Sequence, residues 1–103
     1  MLRKRRFADV IARQLDLFVR DQLELLEACD AAERAYDRSE RGEAEERYGD
    51  YQDLVETGTE ILADLRDNFA STLDDAAAED YEAAFNLAVT RRLPRFGLEI
   101  ENR

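Results

Sequence analysis

Twenty-five carboxylates, one thiol and no imidazole set the chemistry open to this 103-residue chain. Without His it lacks the commonest general base and the commonest transition-metal ligand. The Glu-x-x-His pairs that hold di-iron centres in helical bundles have no counterpart here. Cys29 is a single cysteine, too few for a zinc site or an internal disulfide. The glycines (Gly42, Gly49, Gly58, Gly97) are scattered and form no phosphate-binding loop. The acidic stretches DYQD (50–53) and LDDAAAED (73–80) offer loose cation association, but neither has the spacing of a calcium loop. The expectation is a protein without catalytic residues, cofactor or metal site, and not an enzyme.

Two residues stand out within an otherwise apolar pattern. From Ala8 to Tyr36 the apolar positions step by three and four, and only Gln22 interrupts them. A second series runs from Ala44 to Phe69, and Gly58, in the stretch TGT, is its one missing side chain. If the two series face each other, Gln22 and Gly58 meet. A mid-helix Gly costs about 1 kcal/mol against Ala, so something must offset it. Close packing of the Gln22 amide against Gly58 is the first expectation, and a small-ligand site or hinge at that level is the alternative. Cys29 lies on the first series and is expected to be a buried, inert thiol.

The stepping is the period-3.5 pattern of helix-on-helix packing. It predicts an all-α fold: an up-down-up three-helix bundle built on a long antiparallel hairpin, residues 7–39 and 43–71. A shorter third helix is expected over 75–93, followed by an extended C-terminal tail. SERGE (39–43) supplies the turn, with Gly42 suited to a helix C-terminus. Acid-before-base pairs such as Asp9 and Arg13 or Asp30 and Arg34 sit at i,i+4 on the outer faces and account for many arginines. Leu73 suits a staple before a cap at Asp74 or Asp75, Arg91 and Arg92 suit the end of the third helix, and Pro94 stops it. In RFGLEIENR, Phe96, Leu98 and Ile100 alternate with other residues, hence the extended tail. Residues 7–103 read as one helical domain, and residues 1–6 as a basic arm.

That arm, Arg3, Lys4, Arg5 and Arg6, belongs to a chain with a formal net charge of −10. In the expected topology it meets an acidic end made by Asp64, Asp67, Asp74, Asp75, Glu79 and Asp80, so local charge balance is its expected role. Nucleic-acid binding is disfavoured by the overall acidity. A membrane-surface grip has little apolar area to draw on, and no apolar run exceeds three residues, too short to span a bilayer. A lone thiol and no apolar signal core point to the cytoplasm. Fourteen Arg against one Lys suggest a GC-rich bacterial genome.

Helix lengths locate the expected interface. At 1.5 Å per residue the helices span about 50, 40 and 27 Å, so the third leaves the turn end of the hairpin uncovered. There Leu25, Leu26, Tyr36, Tyr48, Tyr51 and Leu54 form a stripe that proteins do not leave wet. The chain is therefore expected to be a non-catalytic interaction or assembly protein, a homodimer or an adaptor for another helical protein. The alternative is a small-molecule-binding bundle with a site near Gln22 and Gly58. For the arm, deleting residues 2–6 is expected to leave binding to duplex DNA and to anionic vesicles at low salt unchanged. A loss in either titration would show that the arm binds outside the protein.

Overall fold

The computed structural model describes residues 6–103. Five helices follow one another: α1 (Ala8–Asp21), α2 (Leu23–Asp37), α3 (Ala44–Ala70), α4 (Asp75–Arg92) and α5 (Pro94–Ile100). Among the described residues there is no strand, and the helices pack as a bundle 51 Å long and 24 × 23 Å across. Arg3, Lys4 and Arg5 lie outside the described residues.

The core is the apolar stripe of each helix turned inward. Ile11, Leu15 and Phe18 of α1 meet Leu62 and Ala63 of α3 and Tyr81, Phe85 and Val89 of α4 in one buried cluster. Phe7, just before α1, seats its ring edge-on against Tyr81, 5.4 Å between centroids, and against Phe69 at 6.5 Å. Such edge-to-face pairs add about 0.5–1.5 kcal/mol beyond their area. Arg6, exposed, lays its guanidinium 5.0 Å from the Phe7 ring. At the other end of the bundle the Tyr48 ring lies 5.3 Å from Tyr36 across the turn.

Helix ends follow local chemistry. Asp74 has extended backbone and its Oδ1 accepts from the Ala77 N–H at 2.8 Å, an N-cap for α4. Arg91 and Arg92 close α4, where the helix dipole favours cations. The end of α2 corrects the expectation for Gly42: no described residue has positive φ, and the Ser39 hydroxyl instead donates to the Tyr36 carbonyl at 2.6 Å.

Two further expectations are corrected. The segment 7–39 is not one helix, because Gln22 leaves helical backbone (φ −112°, ψ 29°) and divides α1 from α2. The tail is not extended. Pro94 fixes the first turn of α5, where its missing N–H costs nothing. Phe96 and Ile100, four residues apart, then turn inward together, while Leu98 is 81% exposed. The alternation of Phe96, Leu98 and Ile100 was a helix i,i+4 pair with an outward residue between.

Phe96 also answers the question of Gly58. A Cβ at Gly58 would lie 2.5 Å from Phe96 Cε1 and 2.9 Å from Cζ. The ring therefore sits directly on the α3 backbone, with Phe18 edge-on at 6.0 Å on its other side. The atoms nearest a Cβ at Gly58 all belong to Phe96 and none to Gln22, which is half-buried in an open hollow lined by its neighbours from Arg20 to Leu25. Gly58→Ala is expected to destabilise the fold by about 1–3 kcal/mol, despite its better helix propensity, because the ring is buried and cannot swing aside. Chemical denaturation checks this, and in a Phe96→Leu background the same substitution should cost less.

Candidate functional site

Two arginines that reach into the interior hold helices to one another, whereas the buried Thr59 hydroxyl donates to the Val55 carbonyl of its own helix at 2.8 Å and one Glu99 carboxylate oxygen is buried without a partner among the described residues. Arg66, only 4% exposed, donates from Nε to Asp67 (2.9 Å) and from Nη1 to Asn86 Oδ1 (2.9 Å) and the Ile100 carbonyl (3.0 Å). It thus ties α3 to α4 and to the C-terminal end of α5, where a cation meets unpaired carbonyls. Arg95 of α5 does the same toward α2 and α3. Its Nε donates to Tyr51 Oη (3.1 Å), its Nη2 to Glu33 Oε1 (3.0 Å), and Asp30 Oδ1 lies 2.9 Å away. The guanidinium also lies 5.6 Å from the Tyr51 ring centre. Burial works against the charge on Arg95, but its hydrogen bonds to Tyr51 and Asp30 and their charges outweigh it and hold its pKa above the ordinary value.

Cys29 is fully buried in the core cluster, as a seam position requires. Burial raises its thiol pKa; Arg95 pulls the other way, and Asp30 and Glu33 add to the rise. The guanidinium whose charge acts on this thiol comes from α5, a proximity that helix periodicity alone does not reveal. Tyr81 donates its hydroxyl to Gln14 Oε1 at 2.8 Å. Burial pushes its pKa up to about 12, with the Gln14 bond and Arg66 opposing.

The expected interface stripe divides in two. Leu25, Leu26, Tyr51 and Leu54 are half-buried, and the start of α5 lies over Leu26 and Tyr51, enclosing a groove of about 350 Å³ with Arg95 and Phe96. Tyr36 and Tyr48 remain 38% and 44% exposed beyond the reach of α5. At the level of the alternative site near Gln22 and Gly58, the side chain seated on Gly58 is the Phe96 ring. Arg6 stands beside Phe7, at the end where Phe69 and Tyr81 pack.

A second surface escaped the sequence reading. Between α1 and α4 runs an open groove of about 360 Å³, walled by Ala8, Ile11, Ala12 and Leu15 on one side and Ala84, Leu87 and Ala88 on the other. Leu87 is 49% exposed at its rim. The four alanines are the signal that was available: small residues on two facing stripes leave space between helices. Among the described residues no three His, Cys, Asp or Glu side chains group as metal ligands, and no helix is long and apolar enough to cross a membrane. No protein-family model, curated protein or solved structure matches the chain.

The two raised pKa values set the response to alkali. A phenol or thiol that ionises less readily when folded contributes stability below its unfolded pKa and loses it as pH climbs toward the folded one. Stability is expected to fall above about pH 9, where the unfolded thiol begins to ionise, and more steeply above 10 as Tyr81 contributes, by order of 2 kcal/mol. Urea titrations from pH 8 to 11.5 check this, and Tyr81→Phe should flatten the slope above pH 10.

Proposed function

We propose that this chain is a small non-catalytic helical assembly protein that works as a homodimer. The observation that carries the reading is where its apolar and polar groups lie. Leu87, Tyr36, Tyr48 and Leu23 are large apolar side chains left on the outside. Arg66, Arg95, Tyr81 and Gln14 reach inward and are engaged in bonds between helices. Surface of the first kind suits contact with another protein, and closed two-fold pairs are the commonest way for a chain to use it. An up-down-up course, with α1 and α2 together as the first member, fits the meeting of Phe7 with Phe69 and Tyr81 and of Tyr36 with Tyr48. The single buried thiol suits a cytoplasmic setting.

Two surfaces compete for the contact, the tyrosine pair at the hairpin end and the rim of the α1–α4 groove. Sedimentation equilibrium at 0.1 M and 1 M NaCl tests the reading itself. The expected result is a species of twice the 11.9 kDa chain mass that persists in high salt, as apolar contact requires. A monomer at every concentration from micromolar to millimolar would overturn it.

A further inference from the structure

The outer face of α4 has a pattern that fits a second copy of itself. Asp80, Ala84, Leu87 and Arg91 recur at steps of four, three and four, which puts them on one stripe. The buried stripe, Ala77, Tyr81, Phe85 and Val89, lies on another side of the helix. α1 flanks the outer stripe through the groove at Ala84 and Ala88, and α5 packs on a different side, with Gly97 against Thr90. Asp80, Leu87 and Arg91 are exposed, and neither Asp80 nor Arg91 makes an ion pair among the described residues.

The stripe is self-complementary in charge and in size. The point midway between Ala84 and Leu87 is also midway between Asp80 and Arg91. A two-fold axis at that point, with the two α4 helices antiparallel, sets Asp80 of each copy opposite Arg91 of the other, about 16 Å apart along each helix. It also sets each Leu87 against the partner's Ala84, the large side chain against the small. Ala83 and Ala88 share the same midpoint and leave the backbones free to approach at the short end of helix spacing, about 8 Å. Each Leu87 then has Ala8 and Ala12 of the facing groove wall as further apolar neighbours.

We infer that α4 is the homodimer contact, pairing antiparallel with α4 of a second copy through the Asp80–Arg91 and Ala84–Leu87 stripe. This rests on the homodimer reading and names its surface. An all-acidic or all-basic partner helix would satisfy only one end of the stripe. A second copy satisfies both ends twice over, and this decides for self-pairing.

Sedimentation equilibrium of the full chain and its variants tests it, with circular dichroism to verify folding. Leu87→Asp should abolish the dimer, while Tyr36→Asp with Tyr48→Asp should leave it intact. Asp80→Arg and Arg91→Asp should each weaken the dimer at least tenfold at 0.1 M salt, because each sets like charges together twice. The combined swap, Asp80→Arg with Arg91→Asp, should restore it to within a few fold. If Leu87→Asp fails to fold, the charge reversals and their swap carry the test alone. A wild-type dimer that survives Leu87→Asp, or a swap as weak as its single members, overturns this contact and leaves the homodimer reading standing. A wild-type monomer overturns both.

Discussion

The contact between Phe96 and the backbone of α3 at Gly58 organises the rest of the structure. A ring that must lie on a bare helix backbone needs a residue with no Cβ, and Gly58 supplies it. Once the ring is seated, α5 cannot run outward as an extended tail. It has to lie against α3 and α4, and its two ends are then within reach of Arg66 and of the Tyr51, Asp30 and Glu33 group. The helix-weakening cost of Gly58, about 1 kcal/mol, is small beside the roughly 1.5–3 kcal/mol gained by burying an aromatic side chain.

The same contact decides which surfaces stay open. α5 covers the middle of the stripe carried by α2 and α3, at Leu26 and Tyr51, and stops short of Tyr36 and Tyr48. It packs on one side of α4 and leaves the outer side, with Leu87, uncovered. It also delivers Arg95 to the neighbourhood of Cys29. Burial still dominates there, so the thiol is harder to ionise than in solution and acts as a small core residue. An aromatic wedge at one end of a seven-residue helix thus sets the electrostatics of a side chain more than sixty positions earlier.

Much of the molecule was legible as periodicity. The three-four stepping of Ile11, Leu15 and Phe18, of Val55 and Leu62, and of Tyr81 and Phe85 identified the buried faces, since a helix repeats its side every 3.6 residues whatever it packs against. Asp74 as a cap and Arg91 with Arg92 at a helix end were equally local. The break at Gln22, the helical state of the tail and the partner of Gly58 were not. The last two depend on contacts between segments distant in the chain, and among the described residues no such contact explains the break at Gln22. Spacing within Phe96 to Ile100 fits alternation and an i,i+4 pair equally well, and only the presence of α3 and α4 against it selects the helix.

By itself, then, the sequence determined an all-helical chain, the inward face of each long helix, a lone core thiol and a surface dense in carboxylates. These follow from local propensity and from hydrophobic period, which need no knowledge of neighbours. Tertiary structure alone decided that Gly58 receives Phe96 rather than Gln22, that Arg66 and Arg95 fasten α5, and that the tyrosine end and the outer face of α4 remain uncovered. The physical reason is steric and electrostatic. A notch has meaning only when a ring fills it, and an arginine is a clasp only when a carbonyl or carboxylate from another helix lies within 3 Å or so of its donors.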